Sequence, residues 1–195
     1  MERETELAVV GRLRTGDPSA FDEVYAAYND RLFTFLIRLA CRRDVAEDLL
    51  DETWLRLVAH AARLKEATTL GPWLFTVARN LHVSYLRSRL LEDTVQSGLV
   101  GLWPYGVERS SPFEDTAANE LERRVERAIA SLPSASREVL LLVATAGLSH
   151  ADAAAACGIS PAAFRQRLSR ARAQLSRAMD AAALVPASSR CEVTP

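Results

Sequence analysis

Cysteine, histidine and lysine are all scarce in this chain of 195 residues. Cys41, Cys157 and Cys191 have no metal-ligand spacing, and His60, His82 and His150 lie near none of them in a zinc pattern. No metal site is expected. With three scattered histidines, no glycine-rich phosphate loop and no nucleophile motif, the chain offers no catalytic constellation, so neither a catalytic residue nor a cofactor is expected. Long apolar runs are missing as well. Nothing approaches the ~20 consecutive apolar residues of a membrane span, and the acid-rich start, Met1 to Glu6, lacks the basic-then-apolar order of a signal peptide. The expectation is a soluble cytoplasmic protein without membrane insertion. Of 24 basic residues only Lys65 is lysine, which fits a coding bias toward G+C-rich codons.

What is present is enough apolar residue, 49 %, for real cores, in one large or two small domains. The formal net charge of −1 hides a strong pattern. Met1 to Leu91 is neutral, Glu92 to Glu122 carries seven acids against Arg109, and the remainder from Arg123 has ten basic and five acidic residues. A basic C-terminal domain is thus tethered through an acidic strap. A chain so balanced should bind duplex DNA weakly on its own, because nonspecific affinity comes mainly from phosphate neutralisation.

The most specific stretch is Leu148 to Met179. Ser149 can cap a helix with Asp152 three residues on, Gly158 can adopt the left-handed backbone of a sharp exit, and Ile159 can plug the corner. Ser160 and Pro161 suit the N-cap and first position of a second helix. The spacing predicts a helix-turn-helix with Pro161 to Met179 as its recognition helix. At about 100° per residue, Phe164, Leu168, Ala171 and Leu175 fall on one core stripe. The opposite stripe holds Gln166, Ser169, Arg170 and Ala173, flanked by Arg165 and Arg172 on one side and Arg167 on the other. From Ser160 to Ala178 there are five arginines and no acid, a pattern suited to a major groove between two phosphate rails.

Upstream, apolar residues recur at three- and four-residue steps, broken by Gly16, Asp17 and Pro18, with Asp17 an N-cap and Pro18 at the first helical position. Asp44 to about Arg63 reads as the next helix, with Leu49, Leu50, Thr53, Trp54 and Leu57 buried. Its other face crowds Glu47, Asp48, Asp51 and Glu52 around an exposed Leu55, an acidic surface with an apolar anchor for a protein partner. A polar loop, Leu64 to Gly71, contains Lys65, Thr68 and Thr69, and Pro72 opens a helix to about Arg89. Leu74, Val77, Ala78, Leu81 and Tyr85 make its core face and leave Thr76, Arg79, Asn80, Val83 and Arg87 on an outer stripe. Cationic, amide and hydroxyl groups beside a polar loop are the chemistry that holds single-stranded nucleic acid. From Leu91 to about Thr116 periodicity fails, although Leu99, Leu102, Trp103, Tyr105 and Phe113 are more apolar than a bare spacer would be. Helices return at Asn119 to Ser131 and from Ser134 or Ser136 to Gly147, and the tail from Leu184 is expected to fray.

Three segments in order, Ala46 to Leu57, Pro72 to Leu81 with Tyr85-Leu-Arg87, and Leu132-Pro followed by the helix-turn-helix, resemble the extracytoplasmic-function (ECF) sigma factors, group 4 of the sigma-70 family. The resemblance covers about Asp17 to Met179. It implies an all-α protein of two small helical domains joined by an extended acidic linker: region two over 1–91, a linker over 92–118, region four over 119–183 and a tail over 184–195. Region two would bind core polymerase and open the minus-10 element. Region four would read the minus-35 element. Glu47, Asp48, Asp51, Glu52 and Leu55 would then dock on core RNA polymerase, whose beta-prime and beta subunits are the expected partners together with promoter DNA. Lys65, Thr68, Thr69, Thr76, Arg79, Asn80 and Arg87 would serve the minus-10 strand, the loop capturing a flipped base. Gln166, Ser169 and Arg170 match base-reading positions, with Arg165, Arg167 and Arg172 toward phosphate. The linker would thread toward the polymerase active centre. Whether an anti-sigma factor restrains the chain is left open. Asp51 stands where the family often has Gln, and Ala162-Ala163-Phe164 replaces its usual Gly-Thr-Val. The rival reading is a two-domain helix-turn-helix regulator acting without core polymerase, which should carry a ligand pocket or a phosphoacceptor domain.

Overall fold

The computed structural model describes residues 3–96 and 120–183. Of the linker expected over 92–118, residues 92–96 are helical instead, whereas its remainder from 97, with its aromatic residues, lies outside the described residues, as do Asn119 and the tail over 184–195. Among the described residues eight α-helices follow in order: α1 (Arg3–Arg14), α2 (Pro18–Ala40), α3 (Arg43–His60), α4 (Leu70–Gln96), α5 (Glu120–Ser131), α6 (Ser134–Ala144), α7 (His150–Cys157) and α8 (Pro161–Ala183). A 3₁₀ turn, Ala61–Arg63, closes α3. No strand occurs among the described residues, and no described helix is long and apolar enough to cross a membrane.

The helix boundaries follow local chemistry. Asp17 caps α2 by accepting from the Ser19 N–H, with Pro18 at the first position, and Arg12 holds its other oxygen at 2.7 Å. That guanidinium, with help from Ser19, draws the Asp17 carboxyl down to about 2. At the far end, Cys41 takes the left-handed conformation at φ 55°, a geometry that costs a non-glycine residue roughly 1 kcal/mol, and its N–H closes on the Ile37 carbonyl. In α4 the helix begins at Leu70, two residues before Pro72, and runs to Gln96, well beyond Arg89. The reason for the early start lies in α1. The buried Glu6 carboxylate accepts from the Gly71 N–H at 3.2 Å and from the Tyr28 hydroxyl at 3.0 Å, an acid placed at the positive end of α4. Burial and the adjacent Glu6 charge push the Tyr28 phenol up to about 12.

Helices α1 to α4 form an N-terminal bundle around Leu32, Phe35, Leu36, Leu57, Leu74 and Phe75, all fully buried. Phe35 and Phe75 meet edge to face at 5.4 Å. Helices α5 to α8 form a C-terminal bundle around Val139, Leu142, Ala153, Phe164, Leu168 and Ala171. The two share one contiguous core, because α2 packs on α6 and α4 on α7.

That junction is built from arginines. Arg137 on α6 is buried and donates to the Leu39 carbonyl (3.1 Å) and to Cys41 Sγ on one side, and to the Ala130 and Leu132 carbonyls (both 2.9 Å) on the other. Arg38 reaches Glu126 at 2.6 Å, Arg31 reaches the Ala146 carbonyl at 2.8 Å, and Arg79 pairs with Glu138.

His82 sits among them, 5 % exposed, where burial first and then the charges of Arg137 and Arg79 hold its imidazole down to about 4. The folded protein therefore keeps His82 neutral where an unfolded chain, near 6.5, would already be protonated. The contribution of His82 to stability is accordingly complete above pH 6.5 and is lost as pH drops toward 4, by up to about 1.4 kcal/mol per unit. In urea unfolding across that window, His82→Gln is expected to show a shallower pH slope than the parent, and an unchanged slope would remove His82 as its source.

Candidate functional site

The helix-turn-helix assembles as its caps dictate. Ser149 Oγ accepts from the Asp152 N–H at 3.1 Å, and the Asp152 carboxylate returns to the same hydroxyl at 2.6 Å. Gly158 ends α7 at φ 65°, after which the Ile159 N–H closes on Ala154 O. Ser160 caps α8 through the Ala163 N–H at 3.2 Å. Phe164, Leu168 and Ala171 are buried and Leu175 is half-buried, so the opposite face is set by rotation alone. Gln166, Ser169, Arg170 and Ala173 are exposed, as are Arg165 and Arg172. Arg167 differs. It is half-buried, with its charge felt at the Cys157 thiol, which burial and then Glu138 push up to about 12. A helix roughly 10–12 Å across fits a major groove about 12 Å wide, and this one offers amide, hydroxyl and guanidinium groups at its crest.

On α3, Leu49, Thr53, Trp54 and Leu57 are buried and Leu50 is half-buried, leaving Leu55 63 % and Val58 61 % exposed. Trp54 meets Phe21 edge to face at 5.8 Å and Tyr25 at a tilt at 5.0 Å, an aromatic cluster between α2 and α3. The acidic crowd is partly neutralised: Glu47 pairs with Arg43 at 2.8 Å and Glu52 with Arg56 at 2.7 Å, both across one helical turn. Asp48 and Asp51 are exposed and carry none of the described ion pairs. The face therefore presents two carboxylates and two exposed aliphatic side chains.

The loop before α4 is anchored at both ends by buried Leu64 and Leu70, leaving Lys65 and Thr69 exposed and Thr68 half-buried. Arg14 ties the loop back through Glu66 at 2.7 Å. On α4 the outer stripe is not uniformly outward. Asn80 and Arg87 are exposed, Thr76 folds its hydroxyl onto the Pro72 carbonyl at 2.6 Å, and Val83 is half-buried. Arg79 turns into the junction, where only 18 % of its side chain is exposed against Glu138, and also donates to Asn80 Oδ1 at 3.0 Å. Asn80 instead opens on a cleft of about 390 Å³ between α3 and α4, lined by Arg56, His60, Trp73, Val77, Leu81 and Ser84.

Four of these lining residues, Arg56, His60, Trp73 and Ser84, were not singled out by periodicity. Arg56 and His60 are one turn apart on α3, a spacing that could have flagged them, whereas Trp73 and Ser84 join them only through the α3–α4 packing. Arg137 and Glu138 were equally invisible, being two charges ahead of an apolar run.

Among known proteins, residues 24–90 match the family model "Sigma-70 region 2" and residues 122–175 match "Sigma-70, region 4". The chain is 37 % identical over 155 residues to the ECF RNA polymerase sigma factor EcfG of Rhodopseudomonas palustris, covering 80 % of this chain and 82 % of that one. It is 33 % identical over 155 residues to SigM of Bacillus subtilis, covering 79 % and 91 %. Its fold is similar to the sigma factor RpoE of Bartonella quintana, solved in complex with the anti-sigma factor NepR, at a TM-score of 0.67, with 28 % identity over 82 % of this chain and 96 % of that one.

The tight turn carries its own test. A Cβ at Gly158 would meet nothing within 4 Å, so Gly158→Ala is opposed only by the left-handed backbone. The expected loss is about 1 kcal/mol in urea unfolding, and one several times larger would mean that packing, not φ, demands glycine there.

Proposed function

Because the chain belongs to the ECF sigma factors of the sigma-70 family, and so directs transcription initiation through binding to core RNA polymerase, we propose that three of its surfaces divide that work. The α3 face, with Asp48, Asp51 and Leu55 at its centre and Glu47 and Glu52 at its rim, docks on the clamp of the beta-prime subunit, and the rest of the chain extends toward beta. The loop residues Lys65, Thr68 and Thr69, with Thr76, Arg79, Asn80 and Arg87 on α4, hold the melted minus-10 strand. The α3–α4 cleft adds Trp73 as a stacking surface beside the Asn80 amide, the combination that retains an unstacked base. On α8, Gln166, Ser169 and Arg170 read minus-35 base edges while Arg165, Arg167 and Arg172 hold phosphate. An anti-sigma factor is a further partner, as for the similar Bartonella protein.

The observation that carries this reading is Leu55, 63 % exposed between Asp48, Asp51 and Glu52 on a helix whose other side is buried. An exposed apolar side chain inside a charged rim matches the apolar core and polar rim of a protein interface. A helix-turn-helix regulator acting without polymerase gives that leucine nothing to do.

Two measurements test the assignment. Asp48→Arg with Leu55→Ala is expected to weaken core polymerase binding at least tenfold, on the order of 1.4 kcal/mol or more, with helicity by circular dichroism unchanged; undiminished binding would reject the face. On α8 the losses differ in kind. Arg170→Ala should cost the holoenzyme about 1–3 kcal/mol on its preferred promoter and flatten discrimination at one minus-35 position. Arg165→Ala should weaken every sequence alike and reduce the salt slope by about one ion. Affinities across single-base promoter variants at several salt concentrations separate the two, and uniform weakening by Arg170→Ala would overturn the proposed seating of α8.

A further inference from the structure

None of the three proposed surfaces includes α1, and that helix lies ahead of residues 24–90, the stretch that matches region 2. It is nevertheless the back wall of the minus-10 loop. Val9, Val10 and Leu13 are buried in the N-terminal bundle and seat the helix by apolar packing. From that seat two polar arms reach the loop: Arg14 meets Glu66 near its start at 2.7 Å, and the Glu6 carboxylate meets the Gly71 N–H at its end at 3.2 Å. The arms differ in weight. The Glu66 side chain is 85 % exposed, and a pair so open to water holds little, whereas Glu6 is buried.

One oxygen of Glu6 accepts from both that N–H and, at 3.0 Å, the Tyr28 hydroxyl, so α1, α2 and α4 meet at a single atom. Tyr28 closes on the same point: a Cβ at Gly71 would stand 3.4 Å from its ring and its hydroxyl. The Gly71 N–H belongs to the first turn of α4, where a helix cannot satisfy its own donors, and in this buried position it needs the acceptor. Thr68 and Thr69 come directly before the anchored end, and the Thr69 carbonyl accepts from the Trp73 N–H at 3.2 Å. Holding Gly71 therefore holds the loop threonines in register with Trp73 and Asn80 of the α3–α4 cleft. We propose that Glu6 is a positioning residue for minus-10 specificity: from outside the DNA-facing surface it sets where Thr68 and Thr69 meet the extruded base. This rests on the reading of the loop and the cleft as the minus-10 site.

Losing Glu6 then costs choice more than grip. Phosphate contacts supply affinity and carry no sequence information, whereas choice among bases depends on hydrogen bonds placed to within a fraction of an ångström. Without the Glu6 oxygen the Gly71 N–H turns to find another acceptor, and the end of the loop moves with it. Val9, Val10 and Leu13 keep α1 docked through the change.

The test uses holoenzyme and a promoter library randomised over both elements, with base preferences read by sequencing the transcripts. Glu6→Leu keeps the bulk and removes the acceptor. It is expected to flatten the preference at one minus-10 position about tenfold and to leave the minus-35 preferences unchanged. Glu6→Gln keeps an acceptor oxygen at the same reach and should restore the parent preference; failure to do so counts against the proposal. Asp17→Ala, which removes the α2 cap in the same bundle without touching the loop, controls for stability and should leave every preference in place. If Glu6→Leu lowers total transcription while all preferences persist, or if Asp17→Ala flattens the same position, Glu6 is merely structural and the positioning role is overturned. Thr68→Ala with Thr69→Ala separates the two layers. Flattening there without flattening by Glu6→Leu rejects Glu6 alone, whereas unchanged preferences in the threonine double variant reject the loop reading and the inference with it. Should Glu6→Leu fail to fold, Glu6→Asp withdraws the oxygen by one methylene and is expected to flatten the same position to a smaller extent, and no flattening overturns the proposal.

Discussion

Arg137 is the group on which the arrangement of the two bundles turns. A guanidinium taken out of water costs several kcal/mol unless its donors are met. Here no carboxylate accepts from it in the described hydrogen bonds. Its acceptors are instead backbone carbonyls at the last turn of α2 and at the end of α5, together with the Cys41 sulfur. Those carbonyls are the ones a helix cannot satisfy internally, and they lie at the negative ends of two helix dipoles. One cation thus completes two helix termini that belong to different bundles. Cys41, which ends α2 in a left-handed turn, accepts from that guanidinium through its sulfur, and the same charge, after burial, helps to keep His82 neutral.

The near absence of lysine acquires physical meaning in this setting, whatever its origin in the coding sequence. A planar fork with five donors can bridge several carbonyls or grip a carboxylate side-on, which an ammonium does less well. Arginine is used in both ways, buried at Arg137, half-buried at Arg79 and exposed at Arg165 and Arg170. The buried set faces acceptors from its own chain. The exposed set faces water.

Local signals carried most of the elements. Asp17, Ser149, Ser160 and Gly158 act through bonds to residues two to five positions away, so their caps and turns could be read from spacing and were found where expected. The recognition face of α8 was legible for the same reason, since burial of Phe164, Leu168 and Ala171 determines by rotation what points outward. The ends of α4 were not. Its start is set by Glu6, 65 residues away, which satisfies the Gly71 N–H ahead of Pro72. Its apparent outer stripe was misread at Arg79 because a helix covered on two sides has no single polar face: Phe75 and His82, about one turn before and after Arg79 and assigned to neither face by spacing, are both buried.

By itself, then, the sequence determined the all-helical build, the caps at Asp17, Ser149 and Ser160, the helix-turn-helix and the orientation of the α3 and α8 faces, because each depends on residues within one or two turns. It also carried the family resemblance, through three motifs in order. Tertiary structure alone decided which charges are spent inside the molecule. Arg79 finds Glu138 across 59 residues and Arg137 finds Leu39 across 98. An arginine on a polar stripe looks identical whether it meets water, phosphate or a carboxylate from another helix. Only the packing of α6 against α2 and of α7 against α4 selects among them, since electrostatic energy depends on separation in space and on local burial, neither of which is encoded in the spacing of a single helix.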